Sequence, residues 1–147
     1  MSVVSPPLSA QSLVGLPVRF HGNRLGRVSD LLVDVSRWRV IGFVVVCGDD
    51  VERFLAFPAA QPAVDEVAVG SPLVLLDDAG FYRERAVSLH RLARAAVARG
   101  RRHAGFLVDL VVARSGEVDE LEIDIDGVRR RLPAEGSSVA RPAASAA

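Results

Sequence analysis

Leu25-Gly26-Arg27-Val28-Ser29-Asp30-Leu31-Leu32-Val33-Asp34 decides how this chain folds, because it occurs twice. A looser copy stands at Ala104-Gly105-Phe106-Leu107-Val108-Asp109-Leu110-Val111-Val112-Ala113. In each copy a Gly opens an apolar run, and an Asp four residues later (Asp30, Asp109) precedes a second apolar run. Such self-similarity marks one structural unit used twice. Each copy reads as a long strand, with the Gly at a bulge or bend of a curved sheet.

Working outward, Leu13 to Phe20 leads into a first strand and His21-Gly22-Asn23 turns it back, because these residues tolerate positive φ. Arg39 to Cys47 reads as a third strand, apolar on both faces, and Glu52 to Phe57 returns as a fourth, ended by Pro58. Val67 to Val69 supplies a short fifth strand to close a barrel. In the second copy the strands are Gly105 to Ala113, Val118 to Ile125 and Val128 to Leu132, ended by Pro133. Asp126-Gly127 between two alternating strands is a two-residue hairpin signal that sets Ile125 against Val128, Asp124 against Arg129 and Glu122 against Arg131. Between the copies, helix propensity and the repeat disagree over 88–98. Ser88 caps a helix by propensity, whereas alignment of Gly26 with Gly105 calls for a first strand. The repeat takes precedence, with one helical turn at Leu89 to Ala93.

A chain of 147 residues, 50% hydrophobic and 24% charged, has the composition of a packed domain or two very small ones. Eighteen basic residues, all Arg, balance eighteen acidic ones, which removes the simplest argument for a generic polyanion binder. The single Cys47 excludes an intramolecular disulfide and fits a reducing compartment. The apolar runs are too short to span a bilayer, and Met1 to Gln11 has no signal-peptide pattern, so a cytoplasmic protein without membrane insertion is expected.

With its strands placed, the sequence resembles the PRC-barrel family. The resemblance rests on Leu13, Gly15, Pro17 and Val18, then Gly22 to Asp30, the Val33-Asp34 step, the valine-rich strand and the Phe57-Pro58 close. In the second copy Arg94 stands where Gly15 does, Ala96 where Pro17 does, and Ala113 where Asp34 does. The resemblance implies an all-β fold of two small SH3-like, PRC-type β-barrels in tandem, with short helical turns in the linker. The expected division is a disordered 1–11, a barrel over 12–70, a linker over 71–87, a degenerate second barrel over 88–134 and a disordered tail over 135–147. It also implies a non-catalytic protein-interaction or assembly module of a bacterial cytoplasm, with no cofactor and no catalytic residues to carry over.

Candidate sites follow from differences between the copies. Val44 and Val46 take the face that Glu122 and Asp124 take in the second copy, and Trp38 lies at the preceding turn. Such an outward apolar pair calls for cover by the 60–87 segment, by the other copy, or by a protein partner or second copy of the chain. Trp38, Val44 and Val46 are therefore the candidate protein interface. Residues 49–80 carry seven acids and one Arg, and 83–102 carry seven Arg and one Glu. Arg99, Arg101, Arg102, Arg129 and Arg131 form the alternative, a basic patch for RNA or the ribosome; the competing reading pairs these arginines with the acidic segment, Glu122 and Asp124. The alternating acids of Asp119 to Asp126 read as the solvated face of a strand, not a calcium loop. His21, His90 and His103 show no ligand spacing. Asp30 and Asp109 are expected to bond backbone within their own barrels.

Overall fold

The computed structural model describes residues 6–140. Of the described residues, 56% are in strands and 14% in helices. In order it forms β1 (Leu8–Ser9), α1 (Ala10–Leu13), β2 (Pro17–Phe20), β3 (Asn23–Asp34), β4 (Arg39–Cys47), β5 (Glu52–Ala56), β6 (Ala60–Pro62), β7 (Val67–Val69) and β8 (Leu75–Leu76). The second half continues with α2 (Ala79–Arg83), β9 (Val87–Ser88), α3 (Leu89–Leu92), β10 (Ala96–Arg99), β11 (Arg102–Val112), β12 (Val118–Ile125), β13 (Val128–Pro133) and β14 (Ser137–Val139).

Two curled sheets result, and they include a half-barrel. The first runs β6-β7-β2-β3-β4-β5-β8 with β9 added on β3. The second runs β13-β12-β11-β10-β14 with β1 added on β11. Pairing is antiparallel except between β2 and β7. The expected hairpin register holds at all three positions, Ile125–Val128, Asp124–Arg129 and Glu122–Arg131. Both turn residues, Asp126 and Gly127, have positive φ (52° and 81°), as a turn matching strand twist requires. The conflict over 88–98 resolves into one helical turn, α3, followed by strand β10.

The repeat is visible in the hydrogen bonds. The Gly15 N–H donates to the Val28 carbonyl at 2.8 Å, and the Arg94 N–H to the Leu107 carbonyl at 2.8 Å. Arg94 keeps the left-handed backbone of Gly15 (φ 66° against 92°), so the geometry outlasted the glycine. Gly26 and Gly105 answer to a close approach: a Cβ there would lie 2.5 Å from the Val46 carbonyl and 2.8 Å from that of Asp124. In each long strand the register then shifts, between Val28 and Asp30 and between Leu107 and Asp109, so that Ser29 and Val108 are bulged and the shared Asp is the first residue back in register, opposite Val44 or Glu122.

The units exchange their opening arms. β1 pairs with β11 of the second unit (Leu8–Val112), and β9 pairs with β3 of the first (Val87–Val33). Each arm continues into a four-residue helix whose N-cap is a serine, Ser9 or Ser88. Asp109 accepts the Gln11 N–H at 2.9 Å, its own neighbour Leu110 N–H at 2.7 Å, and the Ser9 hydroxyl. Asp30 accepts the Leu31 N–H at 2.9 Å and the His90 N–H at 3.3 Å. The repeated aspartates therefore bond across the units as well as within them, a correction to the expectation that they stay within one barrel. The arm also places secondary structure at Leu8 to Gln11, where the small, Pro-containing composition suggested none; Ser137–Val139 does the same within the expected tail. Residues 1–5 and 141–147 of those two stretches lie outside the described residues.

A second seam joins the units. The Val40 N–H donates to the Gly116 carbonyl and the Val118 N–H to the Trp38 carbonyl, both at 2.8 Å. Between them Arg39 and Glu117 sit opposite one another and form an ion pair at 3.3 Å. The buried side chains of both units, from Leu13, Val18 and Phe43 to Leu92, Leu110 and Leu121, accordingly form one continuous core. The boundary drawn between 12–70 and 88–134 does not divide it.

Candidate functional site

The outer face of each sheet and the edge beside it are where the two units differ. In the first unit Leu32, Val44 and Phe54 form a small outer cluster, and Tyr82, Ala86, Ile41 and Ala56 pack on it. Asp78 caps α2 by accepting the Phe81 N–H at 3.2 Å. That turn sets the Tyr82 ring against Phe54, stacked with centroids 3.8 Å apart and planes 13° from parallel. Val44 is fully buried as a result. Val46 is half-buried beside Arg27 and Glu52, and Arg83 pairs with Glu52. Trp38 is buried too, and its indole Nε1 donates to the Ser137 carbonyl at 2.9 Å. Trp38 and Val44 are thus covered from within the chain, Val44 by the 60–87 segment and Trp38 by the second unit, whereas Val46 stays half-buried.

The edge of this sheet is closed as well. β8 pairs with β5, Leu76 opposite Phe54 and Leu75 opposite Leu55. Arg53 on β5 then reaches Asp77, the next residue of the covering strand, at 3.0 Å, and grips Asp49 with two bonds of 3.0 and 2.8 Å. Arg53 beside Asp49 holds that carboxyl down at about 2. The turn before Trp38 is held in a similar way. Asp34 accepts the Ser36 hydroxyl at 2.6 Å, which with the Ser36 and Arg37 N–H groups keeps its carboxyl below the usual range.

Among the described residues the second unit lacks this cover. Its outer face carries the row Phe106–Asp124–Arg129 and the pair Glu122–Arg131 across β11, β12 and β13. Phe106 is 49% exposed, with His103 edge-on at 5.1 Å between ring centroids. Arg129 makes an ion pair with Glu122 at 3.4 Å, diagonal to its direct partner. Asp124 instead accepts the Gly127 N–H within the turn at 3.0 Å. Beyond β13 no further strand pairs among the described residues.

The arginines of the alternative site divide. Arg99 is structural, donating to the Pro133 and Glu135 carbonyls and the Ser137 hydroxyl, and so pins the chain after β13. Arg101 and Arg102 are exposed at the β10–β11 turn, at the same end of the sheet as Arg129; Arg131 is exposed further along β13.

A shallow cleft of about 360 Å³ is lined by Arg24, Leu25, Gly26, Arg27, Val46, Cys47 and Gly48, of which Cys47 is buried. No group of three or more His, Cys, Asp or Glu side chains gathers closely enough to hold a metal ion among the described residues. No helix among them is long and apolar enough to cross a membrane. Sequence reasoning offered the 60–87 segment as one cover for this face without placing β8 and α2 in it, and it missed the open edge of β13. The signals were present: Asp78 at an N-cap position before Phe81-Tyr82, and three consecutive arginines running into Pro133 on a final strand. No known protein family matches the chain, and no characterised protein matches it in sequence.

Proposed function

We propose that this chain is a non-catalytic protein-interaction or assembly module of the PRC-barrel type, two PRC-like units fused in one core. The observation that carries the reading is the difference between the outer faces. In the first unit the face is sealed by Tyr82 on Phe54, whereas in the second Phe106 stands 49% exposed on a sheet that none of the described residues covers. A half-exposed aromatic flanked by charged pairs has the composition of an interface centre and its rim. Asp30, Asp109 and Ser9 are occupied with holding the units together, and Arg99 with pinning the chain after β13. That use fits a scaffold.

The test is affinity capture from the source cytoplasm with the whole chain and with Phe106→Asp, both quantified by mass spectrometry. A stoichiometric partner held by the wild type and lost by the variant supports the reading. Equal capture by both refutes it at this face. The second reading, RNA or ribosome association, is favoured by Arg101, Arg102 and Arg129 at one end of the second sheet. It requires binding that falls steeply with salt, because phosphate contacts release counterions; salt-independent binding excludes it.

A further inference from the structure

We propose that the free edge of β13 is a strand-addition site for an extended segment of a partner protein in which an aliphatic pair is followed by acidic residues. This deepens, and rests on, the protein-interaction reading above, and it concerns the edge of the sheet instead of the Phe106 face.

The first unit contains the bound state already. By register, Val45 and Phe43 of β4 face Arg53 and Leu55 of β5, while Ile123 and Leu121 of β12 face Arg130 and Leu132 of β13. Arg130 is therefore the counterpart of Arg53, and Leu132 that of Leu55. In the first unit Leu75-Leu76-Asp77 lies along the edge: Leu75 covers Leu55, which is fully buried, and Asp77 meets Arg53. In the second unit the same edge is vacant among the described residues. Leu132 stays half-buried, and the Arg130 and Arg131 side chains make no hydrogen bond or ion pair with the described residues.

The backbone is set for it. A two-residue hairpin closes on a doubly hydrogen-bonded pair, here Ile125–Val128, so Arg129 and Arg131 turn their N–H and C=O groups away from β12. These groups are what an added strand pairs with. Pro133 falls in the same outward phase, where a missing N–H costs the β12 ladder nothing, and it ends the site. Charge selects the occupant. A second copy docking β13 against β13 would set the three arginines against each other, which like-charge pairing disfavours. A segment with acids beside its aliphatic pair meets both the arginines and Leu132.

The test uses the whole chain, labelled with nitrogen-15, and a free peptide copying residues 72–80. Addition of the peptide is expected to shift and protect the Arg129 and Arg131 amides. Affinity is expected to fall about tenfold or more for a peptide carrying Asp77→Arg and Asp78→Arg, or for the chain carrying Arg130→Glu. Arg131→Pro removes one outward N–H and is expected to abolish binding. Should that variant fail to fold, a peptide N-methylated at Leu76 asks the same question of the wild-type chain. The proposal is overturned by no change along β13 at about 1 mM peptide, by shifts confined to β5, or by binding indifferent to the Pro or methyl block. Slow exchange of both amides in the free chain also overturns it, because the edge would then already be covered. Phe106→Asp capture is read separately, so loss of peptide binding with capture intact removes the edge site and leaves the interaction reading standing.

Discussion

Asp109→Ala tests the exchange of arms most directly. The carboxylate is partly buried and accepts three hydrogen bonds, from the Ser9 hydroxyl, the Gln11 N–H and the Leu110 N–H. A hydrogen bond to a charged group contributes about 1.5–3 kcal/mol. The Gln11 contact is exposed, so water replaces it at small cost, and the other two set the loss. The expected destabilisation is about 3–6 kcal/mol. The assay is urea unfolding at neutral pH, followed in parallel by far-UV circular dichroism and by fluorescence of Trp38, which sits on the seam between the units. Because one core runs through both units, the two signals should trace one transition in the wild type. The variant should keep that single transition at a lower midpoint with an unchanged slope. A loss below about 0.5 kcal/mol, the range of ordinary surface substitutions, would refute the reasoning. So would separate transitions for the two probes in the wild type.

Gly42→Ala places a Cβ 2.3 Å from the Leu55 carbonyl and 2.5 Å from the Phe54 ring, so the midpoint of the same urea curve should fall by about 1–3 kcal/mol. Tyr82→Ala should uncover Phe54 and Val44, lowering stability by about 1–3 kcal/mol and raising binding of a hydrophobic dye to the folded protein; unchanged dye binding would mean that the outer cluster is sealed by other residues. Asp49 titrates at about 2 when folded, below its ordinary 3.8, so the folded state holds fewer protons than the unfolded one between those values. The stabilising contribution is therefore present above pH 3.8 and fades as pH falls toward 2. Carbon-13 NMR of the carboxyl should show this titration, and Arg53→Gln should return it toward the ordinary value.

Legibility in the sequence followed how local the determining contact is. The β12–β13 register was readable because Asp126-Gly127 specifies it within two residues. The bounds of β4, β7 and β12 were readable because an apolar run, or in β12 an apolar–acidic alternation, ends sharply at turn residues. Aligning Gly26 with Gly105 also corrected propensity over 88–98, where an Ala- and Leu-rich segment becomes one helical turn and a strand. The arms were not legible. Leu8-Ser9 and Val87-Ser88 are two-residue strands with no periodicity of their own, and each pairs with a strand of the other unit. The outward face of Val44 was recognised as needing cover, but neither of the segments that provide cover nearby, α2 and Ser137, has a pattern that names its target. The open edge of β13 became visible only beside its closed counterpart on β5.

The Arg39–Glu117 pair shows what covalent joining makes available. Flanked by two matching hydrogen bonds, it sits where an axis relating the two units would pass. In an assembly of two identical chains a residue on such an axis faces itself, and an arginine there would confront an arginine. Carrying both halves on one chain permits opposite charges at that point. It also makes the encounter of the halves intramolecular, with an effective concentration set by the connecting segment instead of by supply. The arms then stay docked on dilution, and a partner meets one fixed pairing of a sealed half with an open one.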